Sequence, residues 1–392
     1  MKLVSPPNIR IITPLKRLSF RQSKQLLRLA QFVALGGALF LFLLALMMMG
    51  GSFRLAGTGL AQNLVAVTTN PFTSLFIGLL ATAVVQSSST TTALIVAIVA
   101  AGDLNLAQAI PMIMGANIGT TLTSTIVSLG HIGNKDEFGG AVAASSLHDF
   151  FNILTVIVLF ALESLTGILS KASLWSAGQI GLIEWGGLGS LLFFIHDMAY
   201  WFLAKMESVP YLSVIVGLAV LFLSIRLLTL VMEWLIIGRV QRNLNAIVFG
   251  RPWRGLVSGF GLTALVQSSS VTTSLMVPLV ATRKVSLAKA FPFIMGANVG
   301  TTSTALLAAL ITTGNGRIAA ISAAFAHVLI NLIGVLIFYP IPRLRELPVF
   351  LAEKLGTLSL KSRLYGIAYV LLAFFLLPFL LIFFTEGLGW LE

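Results

Sequence analysis

The stretch that decides the fold occurs twice: residues 82–89 read TAVVQSSS, and residues 263–270 read TALVQSSS. A second motif, GANIGTT at residues 115–121, returns as GANVGTT at residues 296–302, with the same offset along the chain. Two motifs that recur in the same order and at the same spacing indicate a duplicated unit. The chain is therefore predicted to contain two copies of one structural repeat.

The composition around these motifs is typical of a membrane protein. Of 392 residues, 57% are hydrophobic and only 10% are charged, whereas soluble domains carry about 25% charged residues. Six charge-free stretches each exceed the roughly 20 residues that cross a bilayer. The net charge of +12 comes from basic residues in short loops beside these stretches, which indicates membrane topology rather than binding to nucleic acid. The chain has no cysteine, which excludes disulfides and thiolate metal sites.

The first QSSS motif lies in an apolar segment of unusual length. As one helix, residues 71–101 would be about 46 Å long, which is too long for a hydrocarbon core of about 30 Å. As two halves, each would end just past the middle of the core. We therefore predict a re-entrant helical hairpin with residues 86–89 at its tip, and a second hairpin with residues 267–270 at its tip. The glycines on both sides of the asparagine in GANxGTT predict a broken transmembrane helix after each hairpin.

A repeat of this kind crosses the membrane three times, so the second copy must be inverted relative to the first. Twenty Lys and Arg residues fall in segments predicted to be cytoplasmic and four in exterior segments, as the positive-inside rule requires. The predicted fold is an all-α polytopic membrane protein with two inverted-topology repeats, in the plasma (inner) membrane. Its parts are a basic cytoplasmic tail (1–28), repeat 1 (29–160), an exterior connection with a short apolar segment (161–208), repeat 2 (209–340), a cytoplasmic loop (341–363) and a final transmembrane helix (364–385) that takes the C-terminus outside.

The tips and the breaks offer complementary chemistry. Each tip begins a helix whose free amides point into the protein, and its hydroxyl groups add donors without a fixed cation, which suits an oxyanion. The residues predicted to bind it are Gln86, Ser87, Ser88, Ser89, Gln267, Ser268, Ser269 and Ser270. The breaks supply uncharged oxygens, which suit a hard monovalent cation that offsets the anion's charge. The candidate ligands there are Asn117, Thr120, Thr121, Asn298, Thr301 and Thr302.

Asp149 is the one carboxylate deep inside the repeated elements. It lies in HDFFN, which returns in the second copy as HVLIN, where Val328 replaces the aspartate. An ionisable group within a span is a functional candidate, so two roles stay open: coupling to a cation, or pairing with His148 or Lys135. His148 and His327 each precede an asparagine by four residues, and we expect them to be polar anchors rather than proton relays.

The residues alone leave alternatives open. Ser, Thr, Gly and Ala also line close helix contacts in membranes, and that is the expected role of Thr123, Thr125 and Ser303. An intramembrane serine enzyme would need a His or Lys base, and none lies near a tip in the sequence. A passive channel also uses re-entrant halves.

The paired QSSS and GANxGTT motifs, HDFFN and the YPIP run at residues 339–342 resemble the type II sodium-phosphate cotransporters over residues 29–389. The resemblance implies sodium-coupled import of inorganic phosphate by alternating access, with no cofactor and no enzymatic step. Sulfate or arsenate stays open as another substrate, and a homodimer as an assembly. It also implies that Asp149 accompanies electrogenic transport and that the hairpin motifs line the phosphate site. The sodium ligands that it implies are Gln267, Ser268, Ala297 through its backbone, Thr301 and Thr304.

Overall fold

The computed structural model describes residues 20–56, 70–181, 189–240, 248–312 and 314–387, and its regular elements are all helical. Residues 1–19 of the predicted tail lie outside this description. The α-helices are α1 (Phe20–Ala56), α2 (Pro71–Val85), α3 (Ser88–Ala101), α4 (Leu106–Gly119), α5 (Leu122–Leu129), α6 (Lys135–Thr166), α7 (Ile168–Gly181), α8 (Gly189–Lys205), α9 (Pro210–Val240), α10 (Pro252–Val266), α11 (Ser269–Ser274), α12 (Met276–Ala281), α13 (Leu287–Leu310), α14 (Arg317–Phe338), α15 (Pro342–Lys361), α16 (Leu364–Leu371) and α17 (Leu377–Gly387). A π-helical turn, Leu372–Leu376, joins the last two.

Each QSSS motif lies at a turn between short helices. α2 and α10 have 15 residues each and α3 has 14, so each arm is about 21 to 23 Å long, shorter than a hydrocarbon core of about 30 Å. α2 ends at Gln86 and α10 ends at Gln267, because both glutamines adopt the left-handed conformation, with φ of 56° and 57°. In the first copy the motif therefore lies between two half-length helices, and in the second it lies between α10 and the six-residue helix α11.

The GANxGTT motifs differ between the two copies. In the first copy, α4 ends at Gly119 and α5 begins at Leu122, so the helix is interrupted as predicted. In the second copy, α13 runs without interruption from Leu287 to Leu310. The prediction of a broken helix in the second copy is therefore wrong.

The glycines of these motifs allow two helices to touch. A Cβ atom built on Gly115 would lie 1.8 Å from the carbonyl oxygen of Leu75, and one on Gly296 would lie 1.9 Å from that of Leu256. No side chain fits at either position, so α2 packs on α4 and α10 packs on α13 backbone to backbone. Small residues have this role in helix pairs within membranes. Close approach thus explains the glycines of α13 without a break.

The helices form two hydrophobic cores, and each core contains elements of both copies. One core combines α2, α3 and α4 with α14 of the second copy, and it buries Ile113 and Ile330. The other combines α10, α12 and α13 with α6 of the first copy, and it buries Phe151 and Met276. The helix that follows each repeat also packs against the other copy: α15 packs against α6, and α7 packs against α14. The first helices of the two copies, α1 and α9, pair with each other.

Length and composition agree with a polytopic membrane protein. In the described part of the chain, five helices are long and apolar enough to cross a bilayer: Leu106–Leu129, Glu137–Thr166, Leu287–Leu310, Arg317–Phe338 and Leu364–Phe384. The segment predicted as a cytoplasmic loop contains helix α15, and the short apolar segment of the predicted connection is helix α8.

Candidate substrate and cation site

The two tips lie against each other at the contact between the copies. The hydroxyl group of Ser89 donates to the backbone carbonyl of Gln267 at 3.2 Å. On the other side, Ser270 Oγ faces the carbonyl oxygen of Thr120 at 3.5 Å. The side chains of all four residues are buried. The structure therefore brings together the two motifs on which the substrate prediction depends.

A serine caps the helix that follows each tip. Ser87 Oγ accepts from the amide of Thr90 at 3.2 Å, and Ser268 Oγ accepts from the amide of Val271 at 3.3 Å. The glutamine before each serine is left-handed, which costs about 1 to 3 kcal/mol for a residue with a Cβ atom. Both copies retain this strain at the same position, as binding sites often do.

The two tips differ in the contacts of their glutamine side chains. Gln267 is buried, its Oε1 accepts from Thr304 Oγ1 at 2.7 Å, and its Nε2 donates to Ser303 Oγ at 2.9 Å. Gln86 is exposed. The counterpart of Thr304 in the first copy is Thr123, whose buried hydroxyl has no partner among the described residues. The predicted sodium ligands Gln267 and Thr304 are thus in contact, while the equivalent pair in the first copy is apart.

A buried polar network joins the two copies. His148 Nε2 donates to Asn298 Oδ1 at 2.9 Å, and His327 Nε2 donates to Asn117 Oδ1 at 2.9 Å. Each histidine therefore holds the asparagine in the GANxGTT motif of the other copy. Asn152 extends the network, because its Nδ2 donates to the Asn117 carbonyl at 2.8 Å and its Oδ1 accepts from Asn298. Each histidine thus makes a contact expected of a polar anchor, while its Nδ1 has no partner among the described residues, and the choice against a proton relay stays a prediction.

Asn117 and Asn298 each already accept one hydrogen bond through the side-chain oxygen. Asn117 Nδ2 also donates to Asn331 Oδ1 at 3.3 Å. These bonds give both asparagines a structural role in joining the copies. Their role as sodium ligands stays a prediction.

The threonines of the motifs direct their protons away from the site. Thr120 donates to the Ala116 carbonyl at 2.8 Å, and Thr301 donates to the Ala297 carbonyl at 3.1 Å. Thr121 donates to a carbonyl in the preceding turn at 2.8 Å. A hydroxyl group whose proton is used in this way presents lone pairs on its other side, and a hard cation binds such oxygens.

Asp149 lies in the middle of α6 and is fully buried. Its Oδ2 accepts from the hydroxyl group of Tyr369 at 3.0 Å, and its Oδ1 has no hydrogen-bond partner among the described residues. The hydroxyl groups of Thr121 and Thr125 lie against the carboxylate. Neither predicted partner pairs with it, because His148 bonds to Asn298 and Lys135 is exposed at the start of α6. That alternative is wrong.

Several residues of the site are not among those predicted from the sequence. Thr125 and Ser303 were assigned to packing, yet Thr125 lies beside Asp149 and Ser303 accepts from Gln267. Asn152 could have been found, since HDFFN and HVLIN repeat it. Tyr369 lies outside the repeated motifs, and no pattern pointed to it.

The model of the Na+/Pi-cotransporter family matches residues 41–196 and 220–360, more than half of the chain. The chain belongs to the Na+/Pi-cotransporter family. It is 30% identical to sodium-dependent phosphate transport protein 2A of Rattus norvegicus over 96% of the chain and 71% of that relative. It is also 30% identical to protein 2B of Homo sapiens, over 92% of the chain and 66% of that relative. No solved structure matches this family member.

Proposed function

We propose that this member of the Na+/Pi-cotransporter family imports inorganic phosphate together with sodium by alternating access. The observation that carries the proposal is the contact of the two QSSS tips, where Ser89 of the first copy donates to the Gln267 carbonyl of the second. Sites in secondary transporters lie where two repeats meet. Its relatives in rat and human are named sodium-dependent phosphate transport proteins.

Phosphate binds at the meeting tips through neutral donors. Hydroxyl groups and backbone amides can each donate to a phosphate oxygen, and the low dielectric around a buried site strengthens such bonds. No Lys or Arg occurs in either tip motif, so the negative charge has to be offset by a cation that arrives with the substrate. The proposed ligands are Gln86, Ser87, Ser88, Ser89, Gln267, Ser268, Ser269 and Ser270.

Sodium supplies the compensating positive charge at two places. The first is the second-copy site, supported by the bond of 2.7 Å between Thr304 and Gln267. Its proposed ligands are Gln267, Ser268, the Ala297 carbonyl, Asn298, Thr301 and Thr304. The second place is Asp149, which has one unpartnered oxygen and whose carboxylate lies beside Thr121 and Thr125. Its proposed ligands also include Asn117 and Thr120. We propose that the sodium ion at Asp149 exceeds what balances the charge of the phosphate, so that transport is electrogenic with net positive charge moving inward.

The unequal states of the two tips support alternating access. Gln267 bonds to Thr304, whereas Gln86 is exposed and Thr123 lacks a partner. In two related repeats, transport exchanges the conformations of the copies. We propose that in the opposite state Gln86 reaches Thr123 while Gln267 releases Thr304, so the site opens to the other side.

The proposed topology has two inverted repeats with re-entrant hairpins in the plasma (inner) membrane, with the N-terminus in the cytoplasm. Arms of about 21 to 23 Å and the exchange of α6 and α14 between the two cores support it. The serine-enzyme alternative loses support, because the family to which the chain belongs is a family of cotransporters.

The test is uptake of radiolabelled phosphate by the purified protein in liposomes, driven by an inward gradient of sodium, potassium or protons at a matched membrane potential. We expect saturable accumulation above equilibrium with sodium alone. Flux without accumulation would indicate a channel. Stronger competition by unlabelled sulfate or arsenate than by unlabelled phosphate would identify another oxyanion as the substrate.

A further inference from the structure

The final helix touches the rest of the protein along one narrow stripe. Only 17% of the apolar window of Leu364–Phe384 is buried, and the buried positions include Gly366, Val370 and Phe374. These positions are four residues apart, as expected for one helix face. The other faces present large apolar side chains to the surroundings, where lipid would lie. The helix is therefore peripheral, yet one of its side chains makes a hydrogen bond to a residue of the core.

That contact is the hydrogen bond from Tyr369 to Asp149 Oδ2, 3.0 Å long. The ring of Tyr369 is held by two others, with centroids 5.8 Å away at Phe150 and 6.2 Å away at Phe374. Phe374 follows Tyr369 by five residues. The π-helical turn at Leu372–Leu376 explains this contact, since residues five apart approach one face in a π-helix but not in an α-helix.

The hydrogen bond fixes which oxygen of Asp149 is available. Oδ2 bonds to Tyr369, so Oδ1 is the oxygen without a partner. The two threonines beside the carboxylate can direct their protons to helix carbonyls instead, Thr121 to that of Ile118 at 2.8 Å and Thr125 to that of Thr121 at 3.2 Å. Three oxygens therefore present lone pairs to one place, which favours a hard cation.

We infer that Tyr369 is a positioning residue for sodium at Asp149, contributed by the peripheral final helix. The hydroxyl group holds Oδ2 and leaves Oδ1 without a partner, and the aromatic contacts hold the hydroxyl group. This inference rests on the proposed function only in taking sodium as the cation. Hydrogen-bond partners that orient a metal ligand commonly change metal affinity by about 10- to 100-fold when removed.

The test compares Tyr369→Phe with Tyr365→Phe in the full-length protein. Tyr369→Phe keeps the ring and removes the hydroxyl group, whereas Tyr365 is exposed on the same helix, one turn earlier. The first readout is thermal stabilisation of the purified protein by sodium chloride relative to choline chloride, without phosphate. We expect Tyr369→Phe to need about tenfold more sodium for half of the effect. Tyr365→Phe should match the wild type, and the sodium response of each variant is measured from its own melting temperature in choline chloride, because loss of the bond to buried Asp149 lowers that of Tyr369→Phe.

The second readout is phosphate uptake, in which the half-saturating sodium concentration should rise in Tyr369→Phe while the KM for phosphate at saturating sodium stays within about twofold. Adding Tyr369→Phe to Asp149→Asn should then cause no further change in the sodium response, because the tyrosine acts through the carboxylate. An equal effect of Tyr369→Phe in both backgrounds would overturn the inference, as would an unchanged sodium response in the single variant. If the wild type responds to sodium but does not accumulate phosphate, the proposed substrate fails while the inference stands.

Discussion

Replacing Gly259 by alanine should separate two helices that carry the site. A Cβ atom at this position would lie 2.0 Å from the carbonyl oxygen of Phe293, where real contacts essentially never fall below 3.0 Å. The gap between α10 and α13 must therefore widen by about 1 Å, which forfeits a quarter to a half of the dispersion energy of each contact across it. Overpacking of this kind typically costs about 1 to 3 kcal/mol.

Gly261 provides a matched control two residues along the same helix. A Cβ atom there has nothing within 4 Å, so Gly261→Ala should be neutral or stabilise the helix by up to about 1 kcal/mol. The assay is thermal melting of both variants in the same detergent, followed by sodium-driven phosphate uptake. We expect Gly259→Ala to melt lower and to lose most uptake, because α13 also carries Asn298. Equal melting temperatures for the two variants would refute the close approach of these helices.

Three further substitutions test the site. Gln267→Ala should abolish coupled uptake and lower stability by about 1 to 3 kcal/mol, because Thr304 loses its acceptor, whereas Gln86→Ala should abolish coupled uptake without a change in melting temperature; equal melting losses in both variants would contradict the unequal tips. Asp149→Gly should reduce the charge moved per phosphate more than it reduces uptake, and an unchanged current per phosphate under voltage clamp would remove its coupling role. His327→Ala should lower the melting temperature, since it leaves a buried amide oxygen without its donor, and His327→Gln should restore part of the loss; equal melting of His327→Ala and the wild type would show that this bond is unimportant.

Much of the architecture could be predicted from the sequence because the duplication fixes both the motifs and their order. The length of the segment around Gln86 required two short helices, and the structure has them. The break in the second copy was predicted wrongly because glycine has two uses in a membrane helix. It can interrupt the helix or admit a neighbouring backbone, and Gly296 has the second use. Gly115 makes the same close contact in the first copy, where the helix is interrupted, so the contact alone does not decide between the two uses.

The site was harder to predict than the fold. The two QSSS motifs are identical in sequence, so their different states could not be inferred; the nearby difference is Ser303 in the second copy and Leu122 in the first. The bond between Tyr369 and Asp149 joins residues 220 positions apart, and only one of them lies in a repeated motif. Such a contact depends on how the final helix packs, which local patterns do not encode.

The histidine of each copy bonds to an asparagine of the other copy, and these crossed bonds bear on how the chain arose. In an ancestor with one copy, His327 and Asn117 would correspond to one histidine and one asparagine of the same short chain, and they would have met across two identical molecules. Such a contact is isologous, so a single favourable pair would have been made twice and would have stabilised a dimer from the start. Gene fusion would then have preserved contacts that already existed. It would also have freed each half to diverge, as the aspartate next to His148 and the valine next to His327 have done.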